Sequence, residues 1–140
     1  MHEYFADTNV FLRYLTDDVP EQADAVQRLL QRAASSRVAL HTSTLVMAEI
    51  VWTLESYYDL PRDEIRNRIL AVLNTPGLQV ENADLVAQAV SAYATLNVDF
   101  VDAFNALWMT EHGLDRVATF DTRHFSRLPG ITAVTPDRAR

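Results

Sequence analysis

The chain has no cysteine, which excludes disulfide bridges and thiolate chemistry and is compatible with a reducing compartment. Its three glycines, Gly77, Gly113 and Gly130, are isolated, so neither a Walker-type phosphate loop nor a dinucleotide fingerprint can be built. A Gly-x-Ser-x-Gly elbow is missing as well. The histidines at 2, 41, 112 and 124 lack the spacing of a zinc site. No run of uncharged apolar residues is long enough to span a bilayer. The first residues, Met1-His2-Glu3-Tyr4, contain no basic region leading into an apolar stretch, as a secretory signal would. A soluble cytoplasmic protein with no membrane contact is the expectation. Basic charge is also in short supply. A formal net charge of −7 argues against holding nucleic acid by bulk electrostatics alone. An enzyme that meets phosphate through a bound metal stays open, because a divalent ion reverses the local sign of an acidic pocket.

What the chain does have is apolar content of 49% spread over 140 residues, enough for one globular domain covering 1–140. Linkers, repeats and low-complexity segments are not evident. Short strands alternate with helices. Tyr4-Phe5-Ala6 reads as a strand, and Thr8 to Thr16 as a helix with Val10, Phe11, Tyr14 and Leu15 on one face. Asp17-Asp18-Val19-Pro20 breaks it. Glu21 to Ala34 forms an amphipathic helix expected to bury Ala25, Leu29 and Leu30. A strand follows at Arg37 to His41, and Ser43 caps a helix that runs to about Tyr57. Pro61 suits the first turn of the next helix, whose apolar positions are Ile65, Ile69, Val72 and Leu73. Thr75-Pro76-Gly77 ends that helix before a strand at Leu78-Gln79-Val80. Asn82 can cap a helix through Leu96 that buries Leu85, Val86, Ala89, Val90 and Tyr93. Asp99 can cap another that ends at Gly113. Strands at Arg116 to Phe120 and Thr132 to Val134 complete the chain. The order βαα-βαα-βαα-β-β implies an α/β fold, a three-layer sandwich around a mostly parallel sheet.

Four acids stand out. Glu49 is the only charge in the stretch Thr44 to Leu54, which is too apolar for a solvated surface, so its carboxylate is expected to need a partner or a cation. Asp7 and Asp121 each follow a strand, where ligands bind in open parallel sheets. Asp102 shares a helix face with Asp99, one turn earlier. Gathered in one cleft, such carboxylates would repel one another. A hard divalent cation, Mg²⁺ above all, would relieve that repulsion, orient a phosphodiester and acidify a bound water. Each acid also has a plain structural reading: Asp7 and Asp99 as helix caps, Asp102 as a charge near a helix N-terminus, Asp121 as a turn opener, Glu49 as a side chain that snorkels or pairs with an arginine. Arg123 and His124 can be read as contacts to RNA phosphates or as a solvated loop. A phosphatase with an aspartate nucleophile would want a second acid two residues after Asp7, where Asn9 stands.

In order along the chain, Ala6-Asp7-Thr8-Asn9 after a first strand, the acid at the centre of Thr44-Leu45-Val46-Met47-Ala48-Glu49-Ile50-Val51, Asp99-Phe100-Val101-Asp102-Ala103, and Thr119-Phe120-Asp121 resemble the PIN domain. More narrowly they resemble the VapC toxins of bacterial and archaeal toxin–antitoxin pairs. The resemblance covers nearly the whole chain. It implies a Mg²⁺-dependent endoribonuclease, with Mn²⁺ an alternative ion, that cuts single-stranded regions of structured RNA such as tRNA or rRNA. Asp7, Glu49, Asp102 and Asp121 match the acidic quartet. Asp7 and Asp102 would be the principal metal ligands, and Glu49 and Asp121 would complete the pocket. Thr8 and Asn9 would hold Asp7, Thr119 would act likewise near Asp121, and Asp99 would be an acidic neighbour. A homodimer and an inhibitory antitoxin partner are implied too, with exposed residues among Phe11, Tyr14, Trp52, Tyr57 and Tyr58 serving such interfaces unless they are core. The rival from another class is a non-catalytic PIN-like module that binds RNA or protein. It predicts an eroded quartet, whereas all four acids are present.

Overall fold

A computed structural model describes residues 1–140, which separate into two compact units, Met1–Ala83 and Asp84–Arg140. In the first, three parallel strands, β1 (His2–Phe5), β2 (Val38–Thr42) and β3 (Leu78–Val80), lie in that order, with Tyr4 opposite Leu40 and Leu40 opposite Leu78. Parallel neighbours cannot be joined by a tight turn. Each crossover here is a helix pair: α1 (Thr8–Thr16) with α2 (Pro20–Ala34), and α3 (Thr44–Ser56) with α4 (Arg62–Leu73). Asp17 ends α1 in the left-handed conformation, and Pro20 starts α2 where its missing N–H has no helical partner to lose. Ser43 caps α3 by accepting a hydrogen bond from the Val46 N–H at 3.2 Å.

The core of this unit lies under the central strand. Leu40 is buried with Val46, Met47, Ile50, Val51 and Leu54 of α3 and with Ile65, Ile69 and Val72 of α4. Fully burying each such side chain contributes about 1.5–3 kcal/mol. Within α2 the buried residues are Val26 and Ala33. The expected Ala25 is exposed, and Leu29 and Leu30 are half-buried. An apolar stripe read from sequence gives a helix face, while neighbouring elements decide which residue of it faces inward. Tyr14, Trp52 and Tyr57 are exposed as well, Phe11 is core, and Tyr58 donates its hydroxyl to Asp18.

The second unit begins within α5 (Ala83–Leu96) and continues through α6 (Phe100–Glu111), β4 (Arg116–Ala118), α7 (Thr122–Phe125) and β5 (Thr132–Val134), closing with a short 3₁₀ turn at Pro136–Arg138. β4 and β5 pair in parallel, with Val117 opposite Ala133. Leu85, Val86, Ala89, Val90 and Tyr93 are all buried on α5, as the helical period requires. Phe100, Ala103, Ala106 and Met109 form the buried face of α6. The single turn α7 lies where sequence reading left a loop, because four residues are too few to show a period. The fold class is the expected α/β arrangement with parallel strands throughout.

One close approach fixes how β3 enters its sheet. Gly77 has φ +81°, and a Cβ there would lie 2.3 Å from the carbonyl oxygen of Ala33 in the last turn of α2. Gly113, at φ +73°, has open space around it. Both glycines serve a left-handed backbone, but only Gly77 also serves packing. Gly113→Ala should therefore cost about 1–2 kcal/mol of unfolding free energy from backbone strain alone. Gly77→Ala should cost measurably more, because backbone must shift as well. Urea denaturation of the two variants checks the order; equal losses would show that α2 yields freely at Ala33.

Candidate metal centre

Asp7 is placed by the end of β1. Beyond that strand the Ala6 N–H still donates to the His41 carbonyl at 2.8 Å, and the buried Thr42 hydroxyl donates to the Ala6 carbonyl at 2.8 Å. The strand is thus pinned on both sides of the peptide that precedes Asp7. Asp7 then caps α1, its Oδ1 accepting from the Thr8 N–H at 2.8 Å. Capping and metal binding are compatible here, since a carboxylate has a second oxygen and Asp7 is exposed. Thr8 meets Asp7 through its backbone N–H, and the contact from Thr42 was not foreseen. Nothing in the sequence singles Thr42 out; strand pairing alone brings it to Ala6.

Glu49 does not occupy the environment expected for it. It is exposed on α3, on the same side as Leu45 and Trp52, which are 81% and 69% accessible. The helix has a buried apolar face and an exposed apolar face, and Glu49 lies on the second. The desolvation argument for a hidden partner therefore fails, and its carboxylate forms no salt bridge. Glu49 remains available as a ligand without being forced to be one.

The acids of the second unit do converge. Asp99 occupies the N-cap position of α6 without making a side-chain cap bond, and Asp102 lies one turn further on. Asp121 caps α7, its Oδ1 accepting from the His124 N–H at 3.4 Å, while its own N–H donates to Thr119 Oγ1 at 3.0 Å. Phe125 is buried and anchors that turn. The result aims His124 inward. Its Nδ1 lies 3.3 Å from Asp102 Oδ2, 3.4 Å from Asp99 Oδ2 and 3.5 Å from Asp121 Oδ2. His124 is thus no solvated loop residue; its side chain is only 16% exposed. Sequence reading missed it because the decisive contact spans 22 residues.

Burial raises the Asp102 carboxyl above the ordinary aspartate range; the hydrogen bond from His124 opposes this, and the neighbouring charges of Asp99 and Asp121 add to it. A divalent cation would relieve the crowding. Asp99, Asp102 and His124 each offer one donor atom, all within 4.8 Å of one another. In octahedral coordination with bonds of about 2.1 Å, adjacent donors lie about 3.0 Å apart and opposite ones about 4.2 Å. The N···O separations of 3.3 and 3.4 Å need only a small contraction to match. These residues fit a small dication.

The same shift has a consequence for stability. A carboxyl whose folded value is raised holds its proton more tightly in the folded state, so its contribution is favourable below the unfolded value and is lost as pH rises through the folded one. In metal-free protein, Asp102→Asn should therefore melt above wild type at neutral pH. The gap should shrink toward acid pH. Thermal melts in EDTA across pH check this, and a gap that widens on acidification would contradict the direction of the shift.

A family model described as the PIN domain matches residues 4–131. The chain is also 25% identical over 130 residues to a protein named VapC ribonuclease from Aquifex aeolicus (strain VF5), a likeness that spans 93% of this chain and 94% of that one. The family match runs through both compact units and takes in Asp7, Glu49, Asp99, Asp102, Asp121 and His124. With its parallel α/β elements and its strand-end and helix-borne acids, the chain belongs to the PIN domain family.

Proposed function

We propose that this chain is a metal-dependent endoribonuclease that hydrolyses RNA phosphodiester bonds and acts as the toxin of a toxin–antitoxin pair. The observation that carries the reading is the convergence of Asp99, Asp102 and Asp121 on one nitrogen, in a chain whose family match extends over residues 4–131. The name of the Aquifex relative supports RNA as substrate and the toxin role. The same match, over residues 4–131, supports reading 1–140 as one functional domain.

Asp7 and Asp102 would be the principal ligands of Mg²⁺ or Mn²⁺, with Glu49 and Asp121 completing the acidic set. Such an ion supplies a water of lowered pKa and stabilises the departing oxygen. The chain's own contribution is placement. Thr42 and Thr8 fix the backbone on either side of Asp7, and Thr119 and α7 fix Asp121. Acidic side chains have no means of attracting RNA without the cation, which fits a chain with a net charge of −7. A structured tRNA or rRNA is the proposed target. A cognate antitoxin covering the acids is the proposed inhibitor, a homodimer the proposed assembly and the cytoplasm the proposed location. No helix is long and apolar enough to cross a membrane.

Cleavage of a structured RNA by the purified protein should require Mg²⁺ or Mn²⁺ and stop in EDTA. Asp7→Asn and Asp102→Asn should each lower the rate at least about 100-fold, the scale expected when a metal-binding group is lost. Circular dichroism should show both variants folded. Cutting that survives both substitutions, or persists in EDTA, would refute the metal-nuclease reading and favour the non-catalytic binding module.

A further inference from the structure

We propose that His124 is a nitrogen donor to the bound cation, and that it makes this site select a first-row transition dication such as Mn²⁺ over Mg²⁺. The inference rests on the metal-nuclease reading and adds a ligand to it. Four histidines are present, and three are engaged elsewhere or stand at the surface. His41 pairs through Nε2 with Glu3 at 2.9 Å, His112 stacks on Trp108, and His2 is exposed beside Tyr4. Only His124 approaches more than one carboxylate.

Its placement is built rather than incidental. Asp121 caps the turn that carries it, the next side chain, Phe125, is buried, and Ser126 closes the turn by donating its N–H to the Thr122 carbonyl. The imidazole therefore presents Nδ1 to Asp99 and Asp102 from a fixed backbone. Donor spacings of 3.3 and 3.4 Å are those of neighbouring ligands on a small ion, with little closing required. A ring nitrogen can instead donate a hydrogen bond, as Nδ1 does to Asp102 in the metal-free protein. With the proton on Nε2, the same Nδ1 offers a lone pair at the same place.

The donor type then sets the preference. Mg²⁺ favours oxygen ligands and retains water, so an imidazole adds little for it. Transition dications bind imidazole increasingly well from Mn²⁺ to Co²⁺ and beyond. A purely acidic pocket would lack that gradient.

The test is equilibrium binding of Mg²⁺, Mn²⁺ and Co²⁺, by calorimetry at one pH, to wild type and His124→Asn. Asparagine keeps a hydrogen-bonding amide near the position of Nδ1 and can still hold Asp102, but it supplies no imidazole. The substitution should weaken Mn²⁺ binding about 10-fold and Co²⁺ binding more, while Mg²⁺ changes by less than about 3-fold. Equal losses for all three ions would mean that His124 only holds the turn in place, and no change would mean that it is not a ligand; either result overturns the proposal. Pulsed electron paramagnetic resonance of Mn²⁺-loaded wild type needs no variant. It should show hyperfine coupling to one directly bound nitrogen, and an all-oxygen spectrum sinks the idea even if His124→Asn fails to fold. Failure of wild type to bind any of the three ions would instead remove the metal-nuclease reading itself.

Discussion

Three carboxylates held within 3.5 Å of a single imidazole nitrogen are the constraint around which the second unit is arranged. Burial raises the Asp102 carboxyl above the ordinary aspartate range, and the neighbouring charges of Asp99 and Asp121 add to that rise. A fold that keeps them together must hold their backbones by interactions independent of the charges. Here it does so with the buried face of α6, with the capped turn α7 and with the hydrogen bond from Asp121 to Thr119. His124 supplies a donor at the centre of the cluster. A bound divalent cation would relieve the crowding of these acids.

The first unit solves a different problem, that of placing one exposed acid at a strand end. Its carboxylate cannot be fixed by packing, so the backbone before and after it is fixed instead. Thr42 reaches from β2 to the Ala6 carbonyl, and Asp7 itself starts α1. The close approach of Gly77 to Ala33 belongs to the same economy: a three-stranded parallel sheet with two-helix crossovers leaves little space where helix ends meet strand starts. The exposed apolar side of α3, with Leu45 and Trp52 around Glu49, is the price of a helix whose composition satisfies two faces at once.

Much of this was legible from residue order. Thr8–Thr16 and the buried set of α5 follow directly from a helical period, because a stripe of apolar residues at that spacing has only one compact solution. Strand ends followed by acids marked Asp7 and Asp121, and the four motifs in order carried the family. Where apolar residues were too many to form a single stripe, the pattern misled. Glu49 was read as hidden because α3 is apolar all round; in the amphipathic α2 the stripe is clear, and neighbouring elements moved its buried position from Ala25 to Val26.

The sequence by itself determined which elements form, α7 excepted, and which acids stand near their ends, since capping, periodicity and strand-end position are local properties of a few neighbouring residues. Tertiary structure alone decided which of those acids meet. The approach of His124 to Asp99 and Asp102, and of Thr42 to Ala6, joins residues 22 to 36 positions apart. Such contacts leave no periodic trace, because they arise from how whole elements pack, and packing depends on the summed shape of every buried side chain rather than on the pair that finally touches.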